Sequence, residues 1–586
     1  MRIFDAEISY FAIDYIRQIL VNHRDIASIN QILEVASGIK SFFESPDEIE
    51  ECNMALNRNA GNCVAEDRAE YGDFQTNLTL ANAITAKLAK QNIRPEFLIE
   101  PTCGKGNFLL AAIQKFPTLK NIVGVEIYRP YIWQCKWTLL DYFLQNPNQN
   151  RPSIQLFNQN VFDYNFQAVC QQIGKERLLV IGNPPWVTNS KLGALNSINL
   201  PPKNNFKKNK GLDAITGKGN FDIAEYITCA IFKNFGACNG HLALLVKNSV
   251  IRNILFEQKK SKYPIAEIKE QNIDSKKEFK VSVEASLFCC KLNSEPEYSC
   301  AVSDFYSDIP LNVFGWKADR FLSDFAKNSS EIDGKCQFTW RQGIKHDCSK
   351  VMELTKNGDQ YLNKLNESFS LEEALVYDVL KSSELKQEVA PKAKHQTIIT
   401  QRNIGEDTQH LALYPLSYQY LQNHKEYFEA RKSSIYNGKP PFSIFGIGEY
   451  SFKPYKVAIS GLYKTFHFTL ILPNAQNKPV MLDDTCYMLG FDTLENAVKV
   501  LILLNAPITR DFLSSIVFRD AKRMINKEVL MRLDLIKILN LVPKSYIKQQ
   551  FYDLNVKYNL NICDSDYNNY DFLKNGASQL DLFNAL

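Results

Sequence analysis

The sequence predicts an α/β fold: a doubly wound parallel sheet, preceded by a helical region and followed by a mixed α+β region. Three observations carry this. Short apolar runs alternate with amphipathic stretches between about residues 97 and 247, turn-rich breaks separate them, and the rhythm stops near residue 300. Strands that read as continuous apolar runs are buried on both faces, so helices must cover each side of the sheet.

Residues 1–70 read as helices, because Ile8, Phe11, Ala12, Tyr15, Ile16 and Ile19 recur at helical spacing. FLIE (97–100) is the first strand, followed by a glycine-rich turn and the helical run GNFLLAAIQKF. NIVGVEI (121–127) is the second strand and YIWQCKWTLLDYF the helix after it. SIQLF (153–157), RLLVIG (177–182) and HLALLVK (241–247) continue the strands, with the helix FDIAEYITCAIFKNF before the last of them. Beyond residue 300, aromatic-rich segments alternate with turn signals such as NGKPP (437–441), which predicts a second, α+β domain. The expected division is 1–70, 71–298 and 299–586.

A chain of 586 residues with 45% hydrophobic and 23% charged residues is neither a disordered tail nor a fibre. It has no run of 18 apolar residues, so no helix able to span a bilayer is expected. The opening MRIFDAEISYFAIDYIRQIL carries acids where a signal peptide carries bases, and a cytoplasmic protein without a membrane partner is expected. The 14 cysteines form no C-x-x-C pair, which argues against structural zinc and a disulfide framework; no metal is expected. Net charge is only +4, which permits nucleic-acid binding if the basic residues are segregated. Lys203, Lys207, Lys208 and Lys210 crowd one Asn-rich stretch, although a solvated loop has the same composition.

EPTCGKGNF (100–108) closes the first strand. Gly104 and Gly106 let the backbone turn sharply and approach a ligand. The loop is not a P-loop, because no Gly-Lys-Ser/Thr ends it, and the three-glycine dinucleotide fingerprint is incomplete. Glu126 falls about 20 residues further on, at the end of the next strand, where an acid takes both hydroxyls of a ribose. At the third strand's end, Asn160, Val161, Phe162 and Asp163 combine polar and apolar groups able to hold an adenine ring.

RLLVIGNPPWVTNS carries the most chemistry. Pro184 and Pro185 fix the backbone and remove two amide donors, leaving carbonyls free to face a pocket. The Asn183 amide oxygen and the Pro184 carbonyl are two acceptors that can take both hydrogens of an exocyclic amine. That bonding keeps the nitrogen lone pair out of the ring and makes the nitrogen nucleophilic. Trp186 offers a flat face on which a base can stack.

EPTCGKGNF followed by NPPW resembles the S-adenosylmethionine-dependent adenine-N6 DNA methyltransferases of restriction–modification systems, in the gamma motif order with target recognition last. The resemblance implies a Rossmann-like methyltransferase sheet. It implies cofactor contacts from Glu100, Pro101, Cys103, Gly104, Gly106, Glu126, Ile127 and Asn183, and from Val161 with Asn160 or Asp163, either of which can hold the cofactor adenine. GDFQTNLTLA resembles the segment that meets the methionine part of the cofactor and implies Thr76, although the family often has Pro where Asn77 stands. Phe221 matches an aromatic beside the cofactor adenine. Phe279 matches the second aromatic that, with Trp186, sandwiches the target base.

The implied reaction moves a methyl group from S-adenosylmethionine directly to the N6 amine of a flipped adenine, protecting double-stranded DNA from a separately encoded cognate endonuclease. Asn183, Pro184, Pro185 and Trp186 are the catalytic candidates. Lys203, Lys207, Lys208 and Lys210, with Arg431, Lys432, Lys453 and Lys456 among the aromatics near FSIFGIGEYSFKPYKVAISG, are the candidate DNA contacts. The alternatives are cytosine-N4 methylation, methylation of RNA or a protein glutamine, and a DNA-binding specificity subunit; oligomeric state is left open.

Overall fold

The computed structural model describes residues 2–3, 6–7, 9–57, 74–188, 222–327, 330–463, 465–518 and 523–574. The chain divides into two compact units, Met1–Phe321 and Leu322–Leu586.

The first unit begins with a two-stranded antiparallel ladder, Arg2–Ile3 with Ala6–Glu7, where helix was expected, followed by α1 (Tyr10–Asn22), α2 (Ile26–Ser37) and α3 (Pro46–Asn57). Ser9 and Asp25 cap α1 and α2 by accepting amide hydrogens three residues on. Their apolar faces join one core with α4 (Leu78–Lys90), α5 (Asn107–Lys115) and α6 (Arg129–Gln145). Phe42, Phe43, Trp133 and Trp137 meet there, and the buried Lys136 ammonium donates to the Phe42 carbonyl at 2.8 Å.

Behind these helices lies a ten-stranded sheet. Its strands are β1 (Phe97–Glu100), β2 (Asn121–Glu126), β3 (Ser153–Asn158), β4 (Leu178–Gly182), β5 (Gly240–Lys247), β6 (Ile265–Ile273), β7 (Ala285–Leu292), β8 (Ser299–Asp304), β9 (Pro310–Lys317) and β10 (Arg320–Leu322). In space the order is β10-β9-β8-β6-β7-β5-β4-β1-β2-β3. The helices α7 (Phe166–Ile173), α8 (Ile223–Phe235) and α9 (Asn248–Ser261) join strands across its faces.

β1 to β5 are mutually parallel, as their apolar runs predict. The sheet as a whole is mixed, because β7 runs antiparallel to both β5 and β6. Only a short helix, α10 (Ser275–Phe279), separates β6 from β7, and a parallel return needs a longer crossover. Residues 299–322 extend the same sheet through β8 to β10. The chain order reverses between β4 and β1, so the loops leaving these two strands open side by side at a topological switch point.

In the second unit, Arg341–Gln342, Cys486–Phe491, Tyr455–Ser460 and Phe468–Ile471 form a four-stranded antiparallel sheet. It packs against helices that include Leu494–Leu504, Pro507–Ile516 and Lys544–Tyr558. Two three-stranded sheets complete this α+β unit among the described residues. No described helix is long and apolar enough to cross a membrane.

Candidate active site

The site is built where the β1 and β4 loops leave the switch point. Gly104 has φ +50°, and a Cβ there would lie 2.4 Å from the Gln75 amide oxygen. Gly106 starts α5 at φ +81°, and its missing Cβ makes room for the Cys135 sulfur of α6. The two glycines therefore do different work: Gly104 makes room for the Gln75 amide in a turn with positive φ, whereas Gly106 lets two helices meet. Cys103 turns inward as well, buried beside Gly124 and Cys135, so the loop offers its backbone there and not its thiol.

Glu126 ends β2 and accepts from the Gly104 amide at 3.0 Å and the Tyr128 amide at 2.8 Å, one on each carboxylate oxygen. A carboxylate has about four lone-pair sites and can accept several hydrogen bonds at once. Ile127 follows, half-buried. Glu100 and Pro101 are buried at the mouth of the loop. Burial, and then the nearby Cys135 and Glu126 charges, raise the Glu100 carboxyl well above the usual range. Its Oε2 has no hydrogen-bond partner among the described residues.

Asn160 and Asp163 lie on one turn. The Asn160 side chain accepts from the Phe162 amide at 3.0 Å, and its carbonyl accepts from the Asp163 amide at 3.0 Å. Asp163 is exposed, and Val161 and Phe162 are half-buried between the two.

Asn183 follows β4, and its orientation is set from the segment before α4. Its Nδ2 donates to the Phe74 carbonyl at 2.7 Å and to Thr76 Oγ1 at 3.2 Å. Asn107 of α5 donates to the Thr76 carbonyl at 2.7 Å, tying this segment to the glycine loop. Two acceptors facing Nδ2 leave only one orientation for the amide. Oδ1 is buried and has no partner among the described residues. Such a group costs about 1–3 kcal/mol unless a ligand completes it. Asn77, where the resemblance leads one to expect Pro, caps α4 by accepting from Leu80 at 2.8 Å.

Trp186 is 7% exposed, donates its indole N–H to the Leu245 carbonyl at 3.2 Å, and packs on Phe74. Its ring meets Phe279 edge to face, with centroids 4.9 Å apart. The two rings thus lie together but frame no open slot; a base stacked on both faces needs about 7 Å between planes, twice the van der Waals spacing. Beyond Trp186, the Ile223 amide donates to the Val187 carbonyl at 2.9 Å, and Thr188 bridges Asp222, which pairs with Lys247. Phe221 and Lys203, Lys207, Lys208 and Lys210 fall outside the described residues.

Phe74, Gln75 and Leu245 were not singled out as site residues by the sequence reading. Two of them act through carbonyls, which carry no residue signature. The adjacency of Phe74 and Gln75 to Thr76 was the only available signal.

The basic residues of the second unit separate into different environments. Lys432 is exposed. Arg431 stacks on Tyr436 at 3.6 Å and donates to the Phe428 and Ser443 carbonyls. Lys453 binds both oxygens of Asp492, at 2.6 and 2.7 Å. Lys456 departs from the expected phosphate contact: it is 0% exposed, and its ammonium donates to the Lys453 carbonyl at 2.7 Å. Tyr455–Ser460 is covered on both faces, which strand alternation alone does not reveal.

Burial holds Lys456 down to about 7, against 10.5 for a free lysine. Between these values the unfolded chain binds the additional proton, so this lysine lowers stability most below about pH 7 and least above pH 10.5. Lys456→Met is expected to raise the thermal midpoint, with a larger gain at pH 7 than at pH 10, as scanning calorimetry would record. His346 and Asp347 form a turn: His346 Nδ1 accepts from the Cys348 amide at 3.0 Å, and Asp347 has φ +51°. Among the described residues no group of His, Cys, Asp and Glu is placed to hold a metal.

The type II methyltransferase M.NspV of Nostoc sp. is 40% identical to this chain over 477 residues, covering 80% of this chain and 98% of its own length. The chain belongs to the type II methyltransferases of restriction–modification systems. The large sheet of this type II methyltransferase is of the α/β class, with β3-β2-β1-β4-β5-β7-β6 as its consecutive strands and β7 antiparallel. No family model matches it. Among solved structures, the type IIG restriction endonuclease BpuSI aligns at 12% identity and a TM-score of 0.33, over 80% of this chain and 59% of that one. A modification subunit of a putative type I restriction enzyme from Vibrio vulnificus aligns at 14% identity and a TM-score of 0.27, over 44% of this chain and 53% of that one. Alignments this weak add nothing about activity.

Proposed function

We propose that this type II methyltransferase moves a methyl group from S-adenosylmethionine to the N6 amine of an adenine turned out of duplex DNA. The modified site is then protected from a cognate endonuclease. The observation that carries the reading is Asn183: its Nδ2 is held by Phe74 and Thr76, and its buried Oδ1 has no partner among the described residues. An acceptor fixed in this way awaits a donor, and an exocyclic amine is one.

The site fits the cofactor on three grounds. Glu100 Oε2 is a buried acceptor without a partner, suited to an ammonium group. Glu126, anchored by the Gly104 and Tyr128 amides, stands at the end of β2 where a ribose diol would meet it, and Gly104 takes a φ of +50° that turns its amide towards that carboxylate. Val161, with Asn160 or Asp163, would hold the adenine edge. The cofactor supplies an electrophilic methyl group on sulfur.

Asn183 Oδ1 and the Pro184 carbonyl then accept the two amine hydrogens, so the nitrogen lone pair turns out of the ring towards the methyl group. The N–C bond forms as the S–C bond breaks, and the surplus proton on nitrogen passes to solvent. Pro185 stiffens the loop that carries these acceptors. Positioning provides most of the rate.

Trp186 and Phe279 must part to admit the base, and their stacking offsets the few kcal/mol that flipping costs. Trp186→Ala is expected to reduce kcat/KM for DNA about 10- to 100-fold, corresponding to one stacked base. Steady-state kinetics with DNA as the varied substrate would check this.

The assignment is tested with labelled S-adenosylmethionine and unmodified duplex DNA, followed by digestion to nucleosides. N6-methyl-2′-deoxyadenosine carrying the label is the expected product. Label on cytosine N4 would keep the acceptor pair and change the base. Label absent from DNA would overturn the reading.

A further inference from the structure

Sorting the basic residues of the second unit by what already engages them leaves two arginines in a distinctive setting. Arg341, in the first strand of the antiparallel sheet, lies over the Tyr450 ring at 5.2 Å. Arg402 lies over the Phe452 ring at 4.3 Å. Tyr450 and Phe452 both belong to the single 3-10 turn Glu449–Phe452, and Tyr377 packs edge to face against Phe452. Both arginines are exposed, and neither forms an ion pair with a described carboxylate. Glu406, the acid nearest Arg402 in sequence, accepts from the backbone amides of Arg402 and Asn403 through one carboxylate oxygen, at 2.7 and 2.8 Å, and lies in the field of the Arg402 charge without forming an ion pair with it.

We propose that Arg341 and Arg402, shelved on Tyr450 and Phe452, are the residues with which the second unit reads DNA. This rests on the chain being a DNA methyltransferase. An arginine held against an aromatic face has given up much of its rotamer freedom beforehand and loses less on binding. Its outward N–H fork matches paired acceptors, which in DNA are the oxygens of a phosphate or O6 and N7 of guanine. Two such forks beside one turn, neither in an ion pair with a described carboxylate, form a preorganised site for those acceptors. Arg431, Lys453 and Lys456 lack this setting, because backbone carbonyls or Asp492 already take their donors.

The test compares full-length wild type with Arg341→Gln, Arg402→Gln and the two Arg→Lys variants on unmethylated bacterial genomic DNA. KM for DNA, its dependence on salt, and the set of methylated sites read by sequencing are recorded. Each Gln variant is expected to raise KM for DNA roughly 10- to 100-fold, with KM for the cofactor and the thermal midpoint unchanged. Lysine is expected to restore only part of the loss, since it keeps the charge without the fork. A guanine contact broadens the methylated set at one position. A phosphate contact leaves that set intact and lowers the salt slope by about one.

If both Gln variants methylate the same sites with wild-type KM, the assignment is overturned and the methyltransferase reading stands. If wild type places no methyl group in DNA, that reading fails and takes the assignment with it.

Discussion

Asn183→Ala is expected to slow methyl transfer about 10²- to 10³-fold or more at saturating cofactor and DNA, the range found when one preorganised polar group is removed from a reacting centre. The side chain makes its two contacts through Nδ2, to Phe74 and Thr76, and leaves Oδ1 to act on the substrate. Alanine removes that acceptor, so the amine lone pair stays delocalised in the base. Cofactor affinity is expected to change only a few-fold, because most groups that would grip the cofactor come from the loops after β1, β2 and β3. Asn183→Asp is the sharper variant. It retains an acceptor but sets a carboxylate against the Phe74 carbonyl and Thr76 Oγ1, which now accept from the amide, so it too should be severely impaired. Single-turnover kinetics, with cofactor affinity measured separately by calorimetry, would check both. Undiminished transfer in either variant would sink the assignment of the catalytic loop.

Glu126→Ala is expected to weaken cofactor binding about 10²-fold or more, from the loss of two charge-assisted hydrogen bonds to the ribose. The substitution also strips acceptors from the Gly104 and Tyr128 amides, which loosens the glycine loop where it faces the cofactor. The loss should fall mainly on KM for S-adenosylmethionine, with kcat at saturation recovering most of its value, the signature of an interaction shared by ground and transition states. Glu126→Gln, which keeps one acceptor oxygen, should fall between alanine and wild type. Titration of the cofactor in steady-state assays separates the two parameters. A loss confined to kcat would move Glu126 out of the cofactor site.

Much of the first unit was legible because its strands are apolar runs ended by turn residues. FLIE appears as β1 at 97–100, and RLLVIG contains β4 at 178–182. Strand direction was not legible for ASLFCCKL, since a strand buried on both faces looks the same whichever way it runs. Asn183 and the glycine loop stood out through residue types that matter by identity. The clamp on Asn183 did not, because it is built from a carbonyl and from a hydroxyl 107 residues away in sequence.

The second unit was harder for a different reason. Alternating basic and aromatic residues signal cation–π stacking, exposure to DNA and burial equally well, and Lys453, Lys456 and Arg402 show three separate outcomes. Arg341 was not singled out, because its aromatic partner Tyr450 lies more than a hundred residues downstream.

The central claim is that the Asn183 amide oxygen receives the amine of the target adenine. The most direct measurement is a structure of the protein with its DNA site and a cofactor analogue that lacks a transferable methyl group. The expected result places the adenine N6 within about 3.2 Å of Asn183 Oδ1 and the Pro184 carbonyl, with Trp186 and Phe279 moved apart around the base. A base left in the helix, or one whose amine faces any other residue while Asn183 Oδ1 stays unpaired, would contradict the account.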